Sequence, residues 1–433
     1  MGHKFELTKV AGNARLTLKL KDKEIEGVEL HIYETSRFFE NFLVGKKVSE
    51  VPYLISRVCG VCDVAHMLGS LKAIESACGI VCSEQVEKLR ELLCLSGIIH
   101  SHVLHLYFMV LPDLFGCDNL IELSSSQKEY VKIGMKLEEA ASTLLKTIGG
   151  RSPHLITSTI GGFSKFPRND ELKKLLKIFK SVENYGEKTV EIFSKQTGLE
   201  KFEKKTRYFA LKGDEYPLLK GDVVSNDGIE FKPEDYANFL QEYEVPYSTS
   251  KFVKFKNESY MVGALARLNI HYKNLPEEIK ESVKIKIPNY SPFLNNLAQA
   301  IEISYFIKRI VEILENLELR KERKKCETKN GEGISATEAP RGILYHHYRI
   351  ENNRIKFANI ITPTAQNLAD IEESIKKFVY TLVDKSKDEA TNFVEKLVRA
   401  YDPCISCASH FLEVKFVKNF VQNLFNNSRY TFP

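Results

Sequence analysis

The sequence predicts a mainly α fold with small β-hairpins, an α+β chain whose long buried helices surround one central site. Three observations carry that expectation. Long stretches repeat their apolar residues at the helical period, strand-like alternation is confined to short pieces, and cysteine pairs near both ends look like ligands that folding brings together.

Residues 15–20 alternate apolar Leu16, Leu18 and Leu20 with polar neighbours, and 27–32 do so again with Val28, Leu30 and Ile32. The polar stretch 21–23 between them predicts a hairpin. A loop after Pro52 carries the first cysteine pair and opens a helix near His66. Ser83 is placed to cap a long helix that ends before Pro112, with Val86, Leu89, Leu93, Val103 and Leu106 on one helical period. Further helices are expected at 126–148, 169–196, 292–320, 366–384 and 387–400, that at 292 opened by Ser291-Pro292. Residues 205–275 are less regular, with strand-like pieces at 252–255 and 260–262. A second hairpin is expected to turn at Asn352-Asn353. With no internal repeat beyond the cysteine motif and no low-complexity linker, 1–410 reads as a single domain and 411–433 as an extension.

At 433 residues, 43% hydrophobic and 27% charged, the chain has an ordinary globular composition and can bury a large core. A net charge of +5 is small for this size, and the lysine-rich stretches 173–180 and 320–325 suit solvated helix faces, so nucleic acid is not an expected partner. The start, Met1-Gly2-His3-Lys4, has neither a twin-arginine signal nor an apolar h-region, and nine cysteines make an odd number. Reduced thiols in the cytoplasm are the expectation. No membrane span is expected. Residues 94–112 carry no formal charge, yet Ser96, His100, Ser101, His102 and His105 suit a helix buried in protein.

The most informative feature is a motif that occurs twice. Arg57-Val58-Cys59-Gly60-Val61-Cys62 is followed by His66, and Asp402-Pro403-Cys404-Ile405-Ser406-Cys407 by His410. Four thiolates with imidazoles nearby suit nickel, zinc or iron and not magnesium or calcium. A closed structural zinc site is the plain alternative at this stage.

The flanking residues go further. With Glu338-Ala339-Pro340-Arg341-Gly342, Thr362-Pro363-Thr364-Ala365-Gln366-Asn367, the run His100-Ser101-His102 to Pro112-Asp113, and Ser158-Thr159-Ile160-Gly161-Gly162-Phe163, the chain resembles the large, catalytic subunit of nickel–iron hydrogenases over nearly its whole length. Within that family it looks most like cytosolic, viologen-reducing enzymes that do not reduce the deazaflavin F420.

The resemblance implies reversible heterolytic cleavage of dihydrogen, with Cys404 the first proton acceptor. It implies Cys59 and Cys404 as terminal nickel ligands, and Cys62 and Cys407 as bridges to an iron carrying carbon monoxide and cyanide. Arg341 would lie over the open coordination position, oriented by Asp113 and Asp402. Thr364 would bond a diatomic ligand, and His66 would donate to a bridging sulfur. Glu40 and His410 would share magnesium or a second iron. It also implies an iron–sulfur small subunit, since the four ligand cysteines of this chain are already committed to the nickel–iron centre. A further electron-transfer subunit, nickel-insertion factors, and an endopeptidase that cuts after His410 complete the expected partners.

Each residue has a plainer reading: a surface charge in a turn for Arg341, a cap for Thr364, an ordinary helix histidine for His66, a surface glutamate for Glu40. His100, His102 and His105 are not spaced to share one helical face, so packing and internal hydrogen bonds are expected of them. His346 and His347 point to opposite sides of a strand and receive no role. Cys78, Cys82, Cys94 and Cys117 read as buried apolar residues, and Cys326 as exposed and without partners.

One departure stands out. Thr8-Lys9-Val10-Ala11-Gly12-Asn13 aligns with the family's Thr-Arg-x-Glu-Gly-His, so Ala11 occupies the place of the proton-relaying glutamate. A positioned general acid/base contributes about 10²–10⁴-fold in rate. A catalytically impaired sensor or assembly protein is therefore the alternative function, with Glu34 a candidate substitute relay.

Overall fold

The computed structural model describes residues 14–21, 24–32, 39–117, 120–195, 198–213, 215–283, 285–320, 322, 326–379, 386–404 and 412–416. The predicted class is the observed one: long helices packed on one another, with small sheets at their margins.

Ser83 caps the Glu84–Val103 helix, its hydroxyl accepting from Val86 N. The axis does not end before Pro112 as expected. It passes through a π-helical stretch, Leu104–Val110, into the turn Leu111–Leu114. Pro112 is tolerated because it opens that last turn, where its missing N–H is not needed. This continuous rod, Glu84–Leu114, is long and apolar enough to cross a membrane, but 78% of its apolar window is buried inside the protein. Around it pack helices Lys128–Gly149, Asn169–Phe193 and Asn295–Asn316. The last is preceded by a 3₁₀ turn at Pro292–Leu294, so the expected helix at 292 starts in two steps. The helices Pro363–Val379 and Lys387–Ala400 complete the bundle.

Three sheets matter to the site. The N-terminal hairpin pairs Ala14–Lys21 with Glu24–Ile32, and Leu412–Phe416 joins it as a parallel third strand. Residues 205–275 form short strands around an aromatic cluster of Phe209, Phe231, Phe255 and Tyr260. The third sheet orders Gly331–Ala339, Gly342–Glu351 and Arg354–Ile361 as an antiparallel meander. Its second turn is the predicted one: Asn352 and Asn353 both have positive φ, 51° and 59°, as a tight hairpin requires. Its first turn was not expected. Ala339 pairs with Gly342, leaving Pro340-Arg341 as the two turn residues.

Candidate metal centre

Cys59 leaves a 3₁₀ turn, Ser56–Val58, in extended conformation, and Cys62 is the N-cap of the helix Asp63–Cys78. No cap hydrogen bond ties the Cys62 side chain to the helix backbone. Cys59 Sγ accepts from Val61 N at 3.3 Å and Cys62 N at 3.4 Å. Cys404, from the far end of the chain, brings its sulfur to 3.5 Å from that of Cys59. The three sulfurs of Cys59, Cys62 and Cys404 lie within 4.8 Å of one another. Sulfurs sharing a tetrahedral metal at bond lengths of ~2.3 Å are about 3.8 Å apart, so the donor set fits a thiolate-bound transition metal. Hydrogen bonds that Cys62 donates to Cys404 and Cys59, together with burial, push its thiol well up. Ionised sulfurs this crowded need a cation between them. Cys407 and His410 lie outside the described residues.

Arg341 is 6% exposed, so the turn that carries it faces inward. Its Nε donates to the Asp402 carbonyl at 2.6 Å, Nη2 to the Asp402 carboxylate at 2.7 Å, and Nη1 to Ser101 Oγ at 3.1 Å. Burial opposes its charge, but Asp402 and the three cysteines hold it firmly protonated. Of the two carboxylates expected to orient Arg341, Asp402 meets it and Asp113 pairs with Arg399 instead. Asp113 stands in the turn that follows the π-helical stretch, and its partner Arg399 belongs to the Lys387–Ala400 helix.

The Arg341 turn is gripped from behind. Arg267, wholly buried, donates to the carbonyls of Ala339 (3.1 Å) and Pro340 (3.2 Å) and to Glu338 Oε2 (2.8 Å). Its other edge forms a bidentate pair with Glu302, both bonds 2.7 Å. Burial pushes the Glu302 carboxyl up, yet Arg267 overrides it and holds the value at about 2. The three histidines of the rod have separate hydrogen-bond partners, as expected: His100 meets Glu138, His102 meets Glu302, and His105 meets Gln299 and the Arg399 carbonyl. Gln299 in turn donates to Asp402 at 3.0 Å. Sequence reasoning missed Arg267, Gln299 and Glu302. Their signal was polar side chains inside otherwise apolar helical runs, such as Ile301-Glu302-Ile303.

Thr364 accepts from Cys404 N at 3.1 Å, which ties the Pro363–Val379 helix to the second cysteine loop and leaves the hydroxyl proton to donate elsewhere. His66 is buried one turn after Cys62. Burial lowers it to about 4, with Cys59 opposing, so its ring is neutral. Glu40 lies in the short helix Phe39–Leu43, near enough to Tyr348 for its charge to act on the phenol. Among the other cysteines, Cys78, Cys94 and Cys117 are buried as expected and Cys82 is half-buried. Cys326 is also half-buried and packs over Gly161, whose missing Cβ leaves room for its sulfur, so it is not the exposed, partnerless residue expected.

Three thiols beneath a buried guanidinium are more than a structural zinc site requires, and the wider comparison agrees. A family model described as nickel-dependent hydrogenase matches residues 37–128 and 220–410. The chain belongs to the nickel-dependent hydrogenase family. The alpha subunit of sulfhydrogenase 1 from Pyrococcus furiosus is 35% identical over 94% of this chain and 97% of its own length. The vhu-type F420-non-reducing hydrogenase chain from Methanocaldococcus jannaschii is 32% identical, over 86% and 96%. An NAD⁺-reducing [NiFe]-hydrogenase solved in its H2-reduced state superposes with a TM-score of 0.84 at 26% identity, covering 94% of this chain and 98% of that one. The [NiFeSe]-hydrogenase of Dm. baculatum shares the fold at a TM-score of 0.75 and 22% identity, over 94% and 99%. This hydrogenase chain is thus a large subunit, an oxidoreductase acting on hydrogen. The family's site holds nickel and iron, and its large subunits pair with a small iron–sulfur subunit.

Proposed function

We propose that this hydrogenase large subunit interconverts dihydrogen with protons and electrons at a nickel–iron centre held by Cys59, Cys62, Cys404 and Cys407. The observation that carries the reading is the cluster of Cys59, Cys62 and Cys404 facing the buried Arg341 charge. Bound nickel and iron supply the binding and polarisation of dihydrogen. The protein supplies the rest. Arg341, fixed by Asp402, places a permanent positive charge against the thiolates and costs no reorganisation during turnover. Cys404 takes the proton first, its backbone held by Thr364. Electrons leave through the small iron–sulfur partner, then through a further electron-transfer subunit.

The reading extends to carbon monoxide and cyanide on the iron, and to magnesium or a second iron at Glu40 and His410. It places 1–410 in one cytoplasmic domain, with no iron–sulfur cluster in this chain. Nickel-insertion factors load the site, and an endopeptidase then removes 411–433. These parts rest on the family resemblance and on Glu40 lying beside the sheet that carries the site.

Metal analysis with intact mass tests the reading. About one nickel with iron on a chain ending at His410, together with hydrogen/deuterium exchange, is the expected result. Zinc, or no metal on a processed chain, overturns it. The impaired-paralogue reading rests on Ala11 alone. Ala11→Glu should raise the exchange rate if the missing relay limits turnover, and an unchanged rate removes that explanation.

A further inference from the structure

His66 does not stand alone behind the cysteines. Its Nδ1 lies 3.3 Å from His346 Nε2, and His346 Nδ1 lies 2.7 Å from the Tyr348 hydroxyl. His346 and Tyr348 sit two apart on the Gly342–Glu351 strand, so both face the Asp63–Cys78 helix. All three side chains are buried, and the two imidazole rings meet edge to face. The helix makes room for this: a Cβ on Gly69 would lie 2.9 Å from His346 Cδ2. Glycine inside a helix is less favourable than alanine, so the gap is a departure from what the helix itself favours.

We propose that His346 and Tyr348 are positioning residues that lock His66 in the tautomer whose Nε2–H is presented to the metal-binding thiolates. This rests on the reading of the cysteines as the nickel–iron centre. A neutral imidazole has one N–H, so a chain of two admits only two directions. In one, Tyr348 donates to His346, His346 donates to His66 Nδ1, and His66 keeps its proton on Nε2. In the other, every bond reverses and His66 turns a bare lone pair toward its thiolate neighbours. His346 occupies His66 Nδ1, and Cys59 is the group whose charge acts on the ring. Thiolates there select the first direction. Burial keeps the Tyr348 phenol protonated and able to donate. Such outer partners of a metal site typically change affinity or activity by about 10–100-fold when removed.

The test uses the complete hydrogenase complex, loaded with nickel and iron and checked by metal analysis. Tyr348→Phe and His346→Phe should retain the metals, lower kcat about tenfold at unchanged KM, and move the nickel couple to a more negative potential, because a sulfur that loses a donor becomes more electron-rich. His346→Gln can accept from Tyr348 and donate to His66, and should restore both. In the loaded complex labelled with ¹⁵N-histidine, the His66 ring should report an Nε2–H tautomer that His346→Phe and Tyr348→Phe remove. Unchanged potential, rate and tautomer in a fully loaded Tyr348→Phe complex would overturn the proposal. A wild-type complex lacking nickel and iron would instead defeat the reading beneath it. Should His346→Phe fail to fold, Tyr348→Phe removes a single oxygen and decides the matter alone.

Discussion

Arg341 binds Asp402 twice, through its backbone carbonyl at 2.6 Å and its carboxylate at 2.7 Å. Asp402 has a φ of +51° and stands two residues before Cys404. One guanidinium therefore holds both the shape of the second cysteine loop and its own position over the thiols. Lysine has the charge without the fork. Arg341→Lys should bind metal normally and lose at least about 10² in hydrogen/deuterium exchange, in the range seen when a fixed electrostatic group is removed. Equal exchange rates for the two proteins would show that charge alone suffices.

Thr364 accepts the Cys404 N–H, a bond between segments brought together only by folding. Thr364→Val keeps the shape and leaves that donor unpaired, at a cost of about 1–3 kcal/mol. The loss falls on seating Cys404, so nickel occupancy under limiting nickel should drop while Thr364→Ser stays near wild type. Metal analysis at matched loading checks this.

Glu302→Gln would leave Arg267 with Glu338 as its remaining carboxylate partner and would weaken the bond to His102. Breaking one side of a buried pair costs about 3–5 kcal/mol. Denaturant unfolding should show a loss of that order. The Arg341 turn should loosen with it, because Arg267 also bonds the Ala339 and Pro340 carbonyls.

Glu372 joins the Pro363–Val379 helix to the N-terminal hairpin, accepting from Leu30 N at 2.8 Å and from Tyr247 Oη at 3.1 Å. Burial raises its carboxyl from the usual 4.5 to about 7. Between those values the folded chain keeps a proton that the unfolded chain has released. The contribution of Glu372 to stability therefore falls as pH rises from about 4.5 to about 7 and is flat on either side, a loss of about 3 kcal/mol. Glu372→Gln carries no titratable proton and should flatten that slope. An unaltered slope would assign the pH dependence to another group.

Local physics was legible in the sequence wherever one short segment decides its own conformation. The cap at Ser83, the tight turn at Asn352-Asn353 and the alternation of Leu16 and Leu18 against Val28 and Leu30 need no distant partner. The helix past Pro112 was not legible, because the π-helical stretch depends on what packs around it. His346 received no role because a His-His pair on a strand shows alternation but not which face is buried. Only its neighbour Tyr348, on the same face, hinted that a polar line ran inward.

By itself the sequence determined the chemistry: two cysteine pairs with trailing histidines are soft donors whatever surrounds them, and the motifs between them carry the family. The tertiary structure decided which groups meet. Cys404 reaches Cys59, Arg341 turns inward on a two-residue hairpin, Asp402 and not Asp113 orients it, and His346 stands behind His66. Donor identity is a property of a single side chain. Orientation over a few ångströms is set by packing among segments hundreds of residues apart, and no local pattern records it.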